Sequence, residues 1–226
     1  MIIDRLDEEF LLFALHQDGT WVSRRHGSVR FGLAGAWMLE LLREGRVRQV
    51  GKKLVPKGRS LVDDTVLDMV LGLFHSSRRE RSVTEWLQIL SRQAEAAVPA
   101  IAKRLQGRGY VDITVDASGR ERYPMHHSNA RADLRDLLRA VMSGKGERDL
   151  ASLDLLCLLG ASGMTEEAFE GSDRQAMEER ILELIRYDPH MLYMWKVIRG
   201  VRRWGALALA PSYHVPEVHF RNMATA

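Results

Sequence analysis

Among 226 residues there is a single cysteine, Cys157. That excludes a disulfide within the chain and any zinc site built from cysteines. Its place inside the apolar run Leu153–Leu159 points to a buried, inert thiol. Long apolar runs are missing as well, and none approaches the roughly 18 residues that a membrane span needs. The opening MIIDRLDEEF lacks the charged segment and apolar stretch of a signal peptide. A protein that folds in a reducing cytoplasm is the expectation. Chemical motifs are scarce too. No glycine-rich phosphate loop, zinc-protease motif or nucleophile elbow occurs. His126 and His127 are neighbours, so in extended chain they point to opposite sides and make a poor joint metal site. His214 and His219 have only Glu217 nearby in sequence. Asp63, Asp64 and Asp68 stand where a helix begins, and acids are favoured there on electrostatic grounds alone. The expectation is a non-enzyme, with no catalytic residue, no metal and no cofactor.

What the chain does have is a well-patterned helix at Phe31–Val47, FGLAGAWMLELLREGRV. Phe31, Ala34, Trp37, Met38, Leu41 and Leu42 recur every three or four residues and share one face. Gly32 and Gly35 each cost about 1 kcal/mol against alanine in a helix. Their presence suggests that another helix packs close at that point. Glu40, between two leucines, is either on the wet face or buried with a partner. Gly45 suits the helix end.

The remaining elements follow from period and punctuation. A first helix is predicted from Asp7 to about Gln17, then an Asp18-Gly19 turn. Thr20–Arg30, TWVSRRHGSVR, is too polar and glycine-broken for a helix and is expected to be a loop, with a short strand at Trp21–Val22. Arg46–Pro56 alternates as a hairpin does. Leu61 to Phe74 gives a helix. Arg78–Arg81 reads as a charged loop, and Ser82 with Glu85 forms a capping box opening the next helix. Ala94–Gly107 is a helix with Pro99 near its start. Tyr110–Val115 and Arg120–Tyr123 are expected strands. Helices then run about Asn129–Met142, Leu150–Leu159, Ser172–Ile185 and Pro189–Leu209, the last opened by Asp188-Pro189. The fold class is therefore mainly α: one helical domain over residues 1–211 with two short β-hairpins, and a tail over 212–226.

Charge is unevenly spread. Thr20 to Arg59 holds ten Lys or Arg and two acids, net +8, whereas Ala151 to His190 holds three Arg and nine acids, net −6. Such a dipolar layout suits an anionic partner for the first third, or only solvates separate faces. Two features carry functional readings. In the first, Trp21 accompanies Arg24, Arg25 and Arg30; tryptophan favours the water–lipid interface and arginine suits phosphate. The alternative is that Trp21 packs on the core and the arginines are merely solvated. In the second, Ala94–Tyr123 has the outline of a winged helix, with Lys103 and Arg104 on the helix that would enter a DNA groove. The alternative there is a structural helix and hairpin.

The segments taken in order resemble the Golgi phosphoprotein 3 family, including its bacterial members. LDEEFLLFAL with the following DG resembles the family's opening helix and turn. FGLAGAWMLELLREGRV resembles its second helix, with Gly32, Gly35, Glu40, Leu41 and Gly45-Arg46. SLVDDTVLDMV, SVTEWLQIL with Trp86, IAKRLQGRGYV, RERYP and LASLDLLCLLGASGM extend the likeness from about Leu6 to Leu209. The resemblance implies a helical bundle ringed by amphipathic helices, a β-hairpin used in homo-oligomer formation, and no enzyme activity. It also implies binding of phosphatidylinositol 4-phosphate and retention of glycosyltransferases through their cytoplasmic tails. The family's lipid pocket uses one tryptophan and three arginines, and the matching positions here hold Arg25, Ala34, Glu95 and Val98. None of the four is kept, so preference for one phosphoinositide is not expected.

The resulting expectation is a cytoplasmic, peripheral membrane protein that binds anionic lipids through Trp21, Arg24, Arg25 and Arg30. An adaptor role for the tails of membrane proteins follows from the resemblance. A winged-helix nucleic-acid binder and an interaction scaffold without lipid are the alternatives, and sequence-specific DNA binding is not expected.

Overall fold

The computed structural model describes residues 3, 5–21, 26–58, 60–126 and 130–205. Within them the chain is mainly α, with ten helices and two small antiparallel sheets. The tail over 212–226 lies outside the described residues. Helix α1 (Leu6–Ala14) leads to α2 (His26–Arg43), then to the hairpin β1 (Val47–Val50) and β2 (Lys53–Pro56). After α3 (Thr65–Ser76), strand β3 (Arg81–Ser82) joins β2, so the hairpin becomes a three-stranded sheet in the order β1-β2-β3. Helices α4 (Val83–Ser91) and α5 (Ala94–Gly107) precede the two-residue strands β4 (Thr114–Val115) and β5 (Glu121–Arg122). The rest is helical: α6 (Ala130–Met142), α7 (Leu150–Ser162), α8 (Thr165–Ala168), α9 (Arg174–Ile185) and α10 (Pro189–Gly205).

Helix α2 is the axis. It touches α1, α4, α5, α7 and α10, and Leu33, Ala34, Ala36, Trp37, Met38, Leu39 and Leu41 are fully buried. Its two glycines explain the closeness. A Cβ on Gly32 would stand 1.9 Å from Phe10 Cζ, and one on Gly35 would stand 2.7 Å from Leu158 Cδ2 and 2.8 Å from Ile198 Cδ1. The sequence pattern anticipated this packing. Gly32→Ala is accordingly expected to destabilise the protein by about 1–3 kcal/mol through overpacking against the Phe10 ring. Urea unfolding checks this, and an unchanged midpoint would mean that Phe10 has room to turn aside.

Several local expectations are met. The β1–β2 register pairs Val47 with Pro56 and Val50 with Lys53. Ser82 and Glu85 form the capping box, whose Ser82 amide, aided by Arg79, holds the Glu85 carboxyl down to about 2. Asp64 caps α3, its Oδ1 accepting from the amides of Val66 (3.0 Å) and Leu67 (2.8 Å).

Other expectations need correction. Helix α2 starts at His26, so the second half of Thr20–Arg30 is helical and Arg30 is a helix residue; buried contacts of Ser28 and Val29 override the poor local propensity. Helix α1 ends at Ala14, because Leu15 turns into a bridge with Trp21. Leu61 precedes α3 and is exposed. The supposed charged loop at Arg78–Arg81 ends in a strand, since Arg81 pairs with Leu54. Pro99 is the sixth residue of α5, beyond the first turn, and therefore removes one internal helix bond. The second hairpin is shorter than expected, reduced to β4 and β5 plus a Val111–Met125 bridge.

Candidate functional site

The chain after α1 is fixed before it reaches the basic residues. Asp18 accepts from the Thr20 amide at 2.9 Å, and Gly19 takes the left-handed conformation (φ 77°) with the Tyr123–Pro124 backbone pressed against it. The His16 amide donates to the Thr20 carbonyl at 2.7 Å, so Leu15 and Trp21 face one another across a small loop. Arg131 of α6 donates to the Leu15 carbonyl at 2.6 Å and pins the loop from outside. Trp21 is half-buried and packs on the core. The packing on the core is the second of the two alternatives drawn from the sequence, and the residue stays partly accessible.

Arg24 and Arg25 lie outside the described residues. Arg30 sits in the second turn of α2 and reaches α5, its Nε donating to Glu95 Oε1 at 3.1 Å. Its Nη2 pairs with the same oxygen. Both side chains are over a third exposed, so the pair is worth little for stability, yet it neutralises Arg30 in the free protein. Nothing in the sequence signalled Glu95 as the partner, because the two residues are 65 apart. Of the positions matched to the family pocket, Ala34 and Val98 are buried in the core, and Glu95 occupies the surface beside Arg30.

The proposed reading helix of a nucleic-acid binder is used differently. Arg104 of α5 turns inward. Its Nη2 binds Asp7 at 2.7 and 2.8 Å, Nε binds Glu8 at 2.7 Å and Nη1 binds Asp64 at 2.9 Å. Asp7 also accepts from Trp37 Nε1 at 3.0 Å. Burial disfavours the charged guanidinium, but Asp7 and Asp64 outweigh it and raise the Arg104 pKa. Lys103 remains exposed.

Glu40 is largely buried, its side chain 11 % exposed, and its Oε1 accepts from the Leu6 amide at 2.9 Å. Arg5 Nε stands 3.4 Å away. Burial, reinforced by the charge of Asp7, pushes the Glu40 carboxyl up to about 8. A second polar knot joins α2 to α7 and α10, where Arg43 holds Asp154 at 3.0 and 3.1 Å and Asp188 at 2.9 Å. Cys157 is fully buried, donates to the Met191 carbonyl at 3.4 Å, and burial pushes its thiol up. Among the described residues no group of three metal-ligating side chains converges, and no helix is long and apolar enough to cross a membrane.

Fold and surface together define a helical protein built around one buried central helix, with ionic clusters used to join helices. The sequence model of the Golgi phosphoprotein 3 (GPP34) family matches residues 6–203, and the chain belongs to that family. No curated protein matches the chain.

Proposed function

We propose that the protein is a non-enzymatic peripheral membrane protein that attaches to anionic lipid headgroups through the stretch Thr20–Arg30, with Trp21, Arg24, Arg25 and Arg30 as the contacts. The observation that carries this reading is the half-buried Trp21, fixed at the surface by the Leu15 bridge, on a segment of three arginines and no acid. An indole anchored in this way can enter the headgroup region without unfolding the loop. Each arginine near an anionic leaflet contributes about 1 kcal/mol, and interfacial burial of the ring adds about 1–2 kcal/mol. The sum describes moderate, salt-sensitive attachment. The family is not known for enzymes, and an adaptor role for the tails of membrane proteins fits such attachment.

Sedimentation with vesicles of rising anionic content, at low and high salt, tests the reading. Trp21→Ala and Arg24→Glu/Arg25→Glu are expected to lose most of the binding. Glu95→Gln is expected to strengthen it, by up to about fivefold, because it releases the Arg30 guanidinium for one further lipid contact. Wild type remaining in the supernatant throughout, or loop variants binding as well as wild type, would remove this site from consideration.

A further inference from the structure

The other end of α2 carries a second basic surface. Arg46–Lys57 contains five Lys or Arg and no acid, and the hairpin register decides where they go. Val47 and Leu54 point inward and are buried. Gln49, on the same inner side, accepts through Oε1 from His190 Nδ1 at 2.9 Å. The opposite face gathers Arg48, Val50, Lys53 and Val55, because Arg48 pairs with Val55 and Val50 with Lys53. Arg48, Lys52, Lys53 and Lys57 are exposed, and so is Val50, at 49 %. Lys53 has a partner, Glu80 at 3.0 Å, with both side chains over half exposed. Arg48, Lys52 and Lys57 form no salt bridge with any described residue.

Resting on the lipid reading above, we propose that the outer face of the β1–β2 hairpin is a second contact with an anionic lipid surface. The occupant is set by chemistry. Arg48 on that face, Lys52 in the turn and Lys57 just past β2 are cations without a salt bridge among the described residues and call for an anionic partner. An exposed valine among them matches a bilayer interface, where apolar atoms sink beneath the headgroups while Lys and Arg stems reach back to phosphate. A nucleic-acid backbone offers the cations a partner and gives Val50 none. Arg30 of the first contact and Arg43 at the end of α2 are thirteen residues apart on one helix, about 20 Å, more than two Debye lengths at physiological salt. The two basic segments therefore act as separate attachments.

The probe is phosphatidylcholine vesicles with increasing phosphatidylserine, sedimented with the full chain. Arg48→Ala/Lys52→Ala/Lys57→Ala is expected to weaken binding roughly hundredfold at low salt, from the per-residue contribution of cations near an anionic surface. Val50→Asp is expected to weaken it further on the same vesicles. All four positions are exposed, so thermal unfolding should stay at the wild-type midpoint and folding is not confounded. If wild type binds and the triple variant binds equally well, this inference is overturned and the Trp21 site stands. If hairpin variants lose binding while Trp21→Ala and Arg24→Glu/Arg25→Glu keep it, the hairpin contact stands and the first site falls. Two further outcomes overturn the inference: a triple variant that changes only the oligomeric state on size exclusion, or a chain that prefers a DNA duplex to vesicles at matched salt.

Discussion

Arg104→Met is expected to lower stability by about 3–5 kcal/mol, the cost of breaking a buried ion pair from one side. Asp7 and Glu8 are fully buried, and Arg104 is the side chain that binds both, together with Asp64. Removing the guanidinium strands two carboxylates in the interior and loosens three joints at once: α1 to α5, α1 to α2 through Trp37 and Asp7, and α5 to the cap of α3. Arg104→Lys is expected to recover only part of the loss, because an ammonium cannot serve three carboxylates in a planar fork. Urea denaturation gives the difference directly. A loss under about 1 kcal/mol, at an unchanged slope, would mean that Arg108, 3.6 Å from Glu8, takes over the neutralisation.

The second large effect is a pH dependence with the opposite sign to ordinary carboxylates. In the fold Glu40 titrates at about 8, against an unfolded value of 4.5. Below about pH 4.5 both states hold the proton and the group is neutral to stability. Between about 4.5 and 8 the folded protein binds more protons than the unfolded chain, so stability falls as pH rises, and above about 8 it levels off. The shift corresponds to a loss on the order of 3–5 kcal/mol across that window. Glu85, held down to about 2, acts only in the acid range, whereas Glu8 and Asp154, both pushed up by burial, add slope of the same sign as Glu40. Glu40→Gln keeps an acceptor for the Leu6 amide and carries no charge. It should remove the Glu40 share of the slope, leaving that of Glu8 and Asp154, and make the variant more stable than wild type at about pH 8. An equal slope in wild type and Glu40→Gln, measured by urea midpoints across the pH series, would place the proton elsewhere, with Asp7, Arg5 and Arg104 as the neighbouring charges.

Both effects arise from residues whose roles could not be read along the chain. Glu40 between Leu39 and Leu41 was compatible with water or with burial. The Leu6 amide and Arg5, more than thirty residues earlier, decided for burial. Arg104 on a helix beside Lys103 looked like a residue for phosphate. Three acids, two on α1 and one at the cap of α3, drew it inward, since a charge-assisted hydrogen bond to a buried carboxylate is stronger than its counterpart in water.

Local rules determined a good deal by themselves. The capping box at Ser82, the hairpin over Arg46–Pro56, the helix Ala94–Gly107 and the close approach at Gly32 all rest on contacts within a few residues or on one packed face, so period and residue type suffice. The order of short motifs likewise placed the chain in its family, and the absence of long apolar runs and of paired cysteines bounded the protein class. Only the tertiary structure decided where α2 begins, that Arg81 is a strand residue, that Arg30 is latched to Glu95, and that Arg104 turns inward to three acids. The physical reason is the same in each case. Burial and ion pairing between segments tens of residues apart outweigh the fractions of a kcal/mol that local propensity supplies, and a one-dimensional charge count holds no information about which face or which end of a helix each charge will occupy.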